Sequence, residues 1–70
     1  MAQINSNMSG VVLRILVKVG DKVNVDQDVV ALESMKMEMM VPSISAGTVK
    51  EIHVNIEDFV QEGQLLVTLG

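Results

Sequence analysis

Gly10-Val11-Val12-Leu13-Arg14-Ile15-Leu16-Val17 and Gly47-Thr48-Val49-Lys50-Glu51-Ile52-His53-Val54 are two versions of one pattern, offset by 47 − 10 = 37 residues. Extending the comparison to residues 9–33 and 46–70 needs no gap. It leaves nine identical pairs, which are Gly10/Gly47, Val12/Val49, Ile15/Ile52, Val17/Val54, Asp21/Asp58, Val23/Val60, Gln27/Gln64, Val30/Val67 and Leu32/Leu69. A period of this size present only twice is too short for a solenoid. We therefore expect two similar halves that close on each other about a pseudo-two-fold axis.

The apolar residues within each copy predict strands. They recur every second position except for a step of three between Val12 and Ile15, which a β-bulge or a bend near Leu13-Arg14 would accommodate. Gly20-Asp21 and the polar residues 24–28 are typical of turns, and no stretch has a capped helical period. The sequence predicts strands near residues 2–5, 10–17, 22–24, 28–33, 38–42, 47–54, 59–61 and 65–69. The expected fold is all-β, with two small sheets packed face to face or a flattened barrel.

Length and composition limit what such a chain can do. Its 70 residues predict one domain, residues 1–70, and 49% of them are hydrophobic although Phe59 is the only aromatic. With no cysteine, the core must be aliphatic, and a reducing compartment fits. The net charge of −4 disfavours nucleic acid and anionic membranes as partners. There is no leader-like start and no apolar run of the roughly 20 residues that a spanning helix needs, so we expect a soluble protein.

Glu33-Ser34-Met35-Lys36-Met37-Glu38-Met39-Met40 joins the two halves, where the fourth strand must turn back into the fifth. Lys36 is expected at the tip of this turn, where an isolated lysine would ordinarily be a solubilising charge. Met35 and Met37 are expected to form an exposed, adaptable apolar surface beside it. Met39 and Met40 are interpreted as core fillers.

The segment Glu-Ser-Met-Lys-Met-Glu resembles the acceptor motif of the biotinyl domains in the biotin/lipoyl-attachment family. Residues 9–12, 17–23 and 46–49 resemble the same family, so the likeness covers nearly the whole chain. It implies a flattened barrel of two four-stranded antiparallel sheets, with the acceptor lysine on an exposed hairpin opposite the two termini.

The resemblance also implies a function. A biotin protein ligase would acylate Lys36 with biotin activated as its adenylate, and Met35 and Met37 would flank the cofactor. Glu33, Ser34 and Glu38 could contact the ligase, although the two glutamates could equally be solubilising charges. The biotinylated arm would carry a carboxyl group between a biotin carboxylase and a carboxyltransferase. The domain itself would be a non-catalytic monomer, in the cytoplasm or, as part of a larger eukaryotic carboxylase, in the mitochondrial matrix.

Other interpretations remain open. A lipoyl carrier would share the fold and the lysine, but typically lacks methionine on both sides of it. An unmodified β scaffold or binding module would keep the fold alone. The alternating methionines suit Cu(I), but no cysteine or nearby histidine supports a metal site, and His53 is expected to be a surface or half-buried residue without a catalytic role. No nucleophile triad or phosphate loop is present, so an enzyme is the least favoured class.

Three departures from the family pattern concern loop ends. Asp26 stands where the turn usually has glycine, and aspartate can adopt a left-handed backbone conformation at some energetic cost. The proline of residues 41–44 comes two residues earlier than in most members, and Asn7 stands where a proline often lies. None of these departures touches Lys36.

Overall fold

A computed structural model describes residues 2–70, so Met1 of the predicted domain 1–70 lies outside the described residues. Every regular element between residues 2 and 70 is a strand. In chain order they are β1 (Gln3–Asn5), β2 (Gly10–Ile15), β3 (Lys22–Val23), β4 (Asp28–Ser34), β5 (Met37–Pro42), β6 (Gly47–Ile52), β7 (Phe59–Val60) and β8 (Leu65–Leu69).

All eight predicted strands are present, and their ends differ by at most two residues from the predicted ones. The largest difference is in β2 and β6, which were predicted to reach residues 17 and 54 but stop at Ile15 and Ile52. In both strands the backbone leaves the sheet soon after a bulge, at which the pairing register shifts. The residues at 17 and 54 are still buried valines, so the apolar pattern there reports burial and not sheet pairing.

The strands form two four-stranded antiparallel sheets, with the orders β1-β8-β6-β3 and β5-β4-β2-β7. With the offset of 37 residues, β1, β2, β3 and β4 are equivalent to β5, β6, β7 and β8. Each sheet therefore contains strands from both halves in equivalent places. This interleaving confirms the predicted all-β fold and its repeat. The long dimension of the molecule is 31 Å, and the other two are 19 and 18 Å.

A bulge recurs at the same place in both halves. The register of β2 with β4 shifts between Val12 and Arg14, as the spacing predicts, and that of β6 with β8 shifts between Val49 and Glu51. One extra residue on the bulged strand returns the following apolar side chain to the inner face. The bulge therefore explains how a step of three fits a strand.

The core lies between the sheets and is aliphatic throughout. Its buried side chains are those of Ile4, Val12, Val17, Val23, Val29, Val30, Leu32, Val41, Val49, Val54, Val60, Leu66, Val67 and Leu69. They come in equivalent pairs from the two halves, and β-branched residues dominate them, as suits half-buried strands. Phe59 is not among them.

The turns repeat as closely as the strands. Asp21 and Asp58, an identical pair, each accept a hydrogen bond on Oδ2 from the backbone N–H three residues earlier, at 3.0 and 2.8 Å. Gln27 and Gln64 do the same through Oε1, at 3.0 and 3.1 Å. The identical polar residues of the repeat are therefore the ones that close its turns.

Two pairs of equivalent turn positions have left-handed backbone, with a glycine in only one half each time. Gly20 (φ 97°) corresponds to Glu57 (φ 78°), and Gly63 (φ 89°) corresponds to Asp26 (φ 71°). Asp26 thus has the left-handed conformation that aspartate can adopt in place of glycine. Left-handed φ values are costly for residues with a Cβ, so each half has one turn under strain that the other half avoids.

The connectivity places the β4–β5 turn and the chain ends at opposite ends of the barrel. From the turn, β5 runs to the far end, where residues 43–46 connect it to β6. Gly70 pairs there with Thr48 near the start of β6, and the Leu69 N–H donates to the Ala2 carbonyl at 2.8 Å. Among residues 2–70 there is no helix long and apolar enough to cross a membrane.

Candidate functional site

The hairpin between β4 and β5 turns on two residues. Ser34 pairs with Met37, and between them Met35 (φ 54°) and Lys36 (φ 64°) both have left-handed backbone. Two successive positive φ values are the signature of a type I′ turn, which usually takes Asn-Gly because side chains disfavour it. The tip is therefore a tight, strained turn formed by two residues that both have long side chains.

The turn places Lys36 in the position predicted for it. The side chain is exposed, and within residues 2–70 neither a hydrogen bond nor an ion pair engages its Nζ. A primary amine that is free of protein partners and surrounded by solvent can be approached by an electrophile from another protein. The site therefore offers a single nucleophilic nitrogen at the end of a long, flexible stem.

Met35 and Met37 are exposed beside it, by 91% and 62%. The interpretation of Met39 and Met40 as core fillers is wrong, since they are 38% and 37% exposed and lie outside the buried core. Met40 points to the outer face, in register with Ala31, while Met39 points inward on a part of β5 that extends beyond the stretch equivalent to β1. The hairpin thus projects past the barrel and exposes thioethers on both of its faces.

Two carboxylates lie opposite each other just behind the tip. Glu33 and Glu38 are a cross-strand pair on the outer face, and like charges so placed repel. The Arg14 guanidinium donates to Glu38 Oε2, reaching it from β2 across β4, and forms an ion pair with it. Among residues 2–70 no cation pairs with the exposed Glu33 carboxylate, so only Glu38 is neutralised there.

Arg14 was not identified from the sequence. Its equivalent in the other half is Glu51, so comparing the two halves gives no reason to single out residue 14. Its partner Glu38 is 24 residues away in the sequence. Only the strand order β5-β4-β2 brings the two side chains to one face. The bulge between Val12 and Arg14 was the available signal, because it indicated a place where a side chain is redirected.

Two other predicted positions are also located. Ser34 is half-buried and closes the turn through its pairing with Met37. His53 directly follows β6 and is exposed, as expected for a surface residue, and its Nε2 lies 2.8 Å from Thr68 Oγ1. The hairpin therefore brings together the six predicted site residues 33–38, and His53 is separate from them.

Comparison with known proteins places the whole chain in one family. The model of the biotin/lipoyl family, described as biotin-requiring enzymes, matches residues 2–69. The biotin/lipoyl attachment protein of Bacillus subtilis is 39% identical over 67 residues, which cover 96% of this chain and 92% of that protein.

Relatives of two chemical kinds are equally similar. A biotin carboxyl carrier protein from Streptococcus mutans is 44% identical over 63 residues, which are 90% of this chain and 48% of that protein. A dihydrolipoyllysine-residue acetyltransferase component of pyruvate dehydrogenase complex from Azotobacter vinelandii is 45% identical over 60 residues, or 86% of this chain and 9% of that protein. The chain thus spans about half of the first and less than a tenth of the second.

The fold agrees with a solved structure. The urea carboxylase of Kluyveromyces lactis contains a part that superposes with a TM-score of 0.92 and 29% identity, over 99% of this chain and 6% of that one. The chain belongs to the biotin/lipoyl-attachment family, whose domains carry a covalently bound biotin or lipoyl group.

Proposed function

We propose that Lys36 is the attachment point for biotin and that this domain is the carrier of a biotin-dependent carboxylase. One observation carries the proposal: the free, exposed amine of Lys36 lies at the tip of a two-residue turn between two exposed methionines. The similarity to carrier and carboxylase proteins supports it. Biotin is preferred to a lipoyl group because of the methionines on both sides of the lysine.

The proposed function requires one reaction at this chain, the transfer of an acyl group to Lys36. The Lys36 Nζ, once deprotonated, attacks the carboxyl carbon of biotin activated as an adenylate, the bond to the phosphate oxygen breaks, and AMP leaves. The amine gives up its proton, so the product is a neutral amide. The chain has to hold the nitrogen away from its own carboxylates and present it to the ligase, and the projecting hairpin is the element that we assign to this task.

When attached, biotin supplies a ureido ring that takes up and releases a carboxyl group. The chain contributes a rigid base for this arm, since the Ser34–Met37 pair fixes the turn and the Arg14–Glu38 ion pair connects β5 to β2 across the hairpin. We assign Glu33, Ser34 and Glu38 to contact with the ligase. A biotin carboxylase and a carboxyltransferase are the proposed partners for the loaded arm, and catalysis belongs to them.

The test is the intact mass of the chain after reaction with a biotin protein ligase, ATP and biotin, followed by peptide mapping. The proposal expects one biotinyl group on Lys36. Lys36→Arg is the matched control, because it keeps the positive charge and the exposed position but is a poor acyl acceptor. Biotin incorporation at an unchanged level in this variant would refute the assignment.

A lipoyl carrier is the second candidate, favoured by the similarity to the acetyltransferase component. The same chain is therefore offered in parallel to a lipoate protein ligase with lipoate and ATP. A lipoyl increment on Lys36 without a biotinyl increment would replace the first candidate with the second. Modification by neither ligase, in a domain shown to be folded, would favour an unmodified scaffold.

The methionines provide a further test of the biotin assignment. Met35 and Met37 together changed to leucine keep apolar bulk but lose the thioether, and their exposure predicts almost no change in thermal stability. We expect the rate of biotinylation or of carboxyl transfer to change instead. A large loss of stability with unchanged rates would contradict the surface role given to these residues.

A further inference from the structure

The outer face of the sheet that carries the hairpin has an apolar pair beside the two carboxylates, an exposed Phe59 and a half-buried Val11. Phe59 of β7 pairs with Val11 of β2, Val11 pairs with Glu33 of β4, and Glu33 pairs with Glu38 of β5. We call these four residues the outer row. Phe59, the only aromatic residue of the chain, is 63% exposed there, while its neighbour Val60 is fully buried.

The other sheet shows what this row looks like where no acceptor lysine follows. Lys22, Thr48 and Gly70 are the equivalents of Phe59, Val11 and Glu33, and they pair in the same order on the other sheet. The same backbone therefore forms with lysine and threonine in place of the aromatic and aliphatic pair. Neither folding nor the core requires an aromatic side chain at residue 59.

The outer row leads directly to the acceptor hairpin. The Glu33–Glu38 pair is followed by the Ser34–Met37 pair that closes the turn. With strands about 4.8 Å apart, Phe59 lies two strands from Glu33, at roughly 10 Å. A protein that surrounds Lys36 would also cover this distance, since specific interfaces bury about 800 Å² on each partner.

The charge around the apolar pair is negative. Glu33 has no ion-pair partner within residues 2–70, and Glu57 and Asp58 directly precede Phe59. Aromatic side chains are enriched at the centres of protein interfaces, and charges of opposite sign at the rim orient the partners. The complementary surface is therefore an apolar pocket rimmed by lysine or arginine side chains.

We propose that Phe59 and Val11 form the docking surface for the ligase that acylates Lys36, with Phe59 inserted in an apolar pocket that has a cationic rim. The inference rests on the proposed function and adds two specificity-determining residues to it. They act through binding, outside the chemical step, so they set the KM of the ligase for this chain and leave kcat unchanged.

The experiment measures ligase kinetics with side chains exchanged between the two halves. Phe59→Lys and Val11→Thr copy the residues that the same backbone already carries at the equivalent positions, so both variants are expected to fold, as circular dichroism would verify. Phe59→Lys should raise KM for the chain on the order of 10- to 30-fold, as loss of an interface hot spot does, and Val11→Thr should raise it less. Lys22→Ala, on the other sheet, should leave both constants within about twofold of wild type.

Each other outcome would overturn the docking surface. Wild-type kinetics for folded Phe59→Lys would refute it while leaving biotin on Lys36 intact. A loss in kcat at constant KM would make Phe59 part of the chemical step instead. Sedimentation equilibrium that shows a dimer of the wild type, dissociated by Phe59→Lys, would assign the row to a second copy of the chain. A wild-type chain that accepts no biotin would overturn the proposed function together with this inference.

Discussion

Replacing Glu57 with glycine should stabilise the domain. Glu57 has a φ of 78°, and its equivalent in the other half, with a φ of 97°, is Gly20. A side chain in the left-handed region costs about 1–2 kcal/mol, whereas glycine gives the unfolded chain extra entropy worth about 0.4–1 kcal/mol. The difference leaves a gain in the free energy of unfolding of about 0.5–1 kcal/mol. For a domain of this size, that gain raises Tm by about 2–8 °C.

Urea unfolding followed by circular dichroism measures this gain, and two variants separate its causes. Glu57→Gln removes the charge and keeps the Cβ, so it should change the free energy of unfolding by less than about 0.5 kcal/mol. Gly20→Ala is the reverse exchange. A Cβ built on Gly20 meets no heavy atom within 4 Å, so its cost is conformational and should be about 0.5–1 kcal/mol.

The reasoning depends on a shared turn geometry, and a particular result would refute it. If Glu57→Gly lowered the free energy of unfolding while Gly20→Ala also lowered it, the two turns would not be energetically equivalent. An interaction of the Glu57 side chain would then outweigh the backbone strain. If Glu57→Gln gave the whole gain, repulsion among the acidic residues would be its cause.

Three further stability predictions concern the scaffold. Gly10→Ala should lower the free energy of unfolding by about 1–3 kcal/mol, because the new Cβ would lie 2.6 Å from a backbone oxygen of β4. Gly47→Ala, whose Cβ would come no closer than 3.3 Å to another heavy atom, should cost clearly less. Equal losses in denaturant unfolding would contradict this comparison. Arg14→Ala should cost less than about 1 kcal/mol, and repeating the melts in high salt should shrink the difference, because the ion pair with Glu38 is exposed; a salt-independent loss would indicate packing instead. Leu32→Ala empties a fully buried position and should cost about 2–5 kcal/mol, and a shift of Tm below 2 °C would show that the core had closed around the gap.

The fold could be predicted because the repeat supplied the same information twice. The spacing of Val12 and Ile15 recurs in the second half, where it again indicates a bulge or bend, and a register shift is found at both places. Strand ends were less accurate since burial continues through Val17 after sheet pairing has stopped at Ile15. An apolar pattern reports which side chains face the core, and it does not report whether the backbone still pairs.

The site was predictable only where it depended on local sequence. Lys36 at the turn followed from its place between two strands, whereas the Arg14–Glu38 ion pair required the strand order. Met39 was misassigned because it lies on the part of β5 that extends beyond the stretch equivalent to β1, and the length of such an extension cannot be obtained from alternation alone. The exposure of Phe59 likewise became informative only when the other sheet provided its lysine equivalent.

The position of the chain ends has a mechanical consequence. Ala2 and Leu69 are joined by a backbone hydrogen bond at the end of the barrel opposite Lys36, and the long axis of the molecule measures 31 Å. If either end were tethered, the whole barrel would rotate about that end as one rigid body. Such a rotation would move Lys36, at the opposite end, through a wider arc than the rest of the barrel. In the proposed carrier, the sweep of the lysine stem adds to that of the barrel, so the length of this rigid body would largely set how far the attached group reaches.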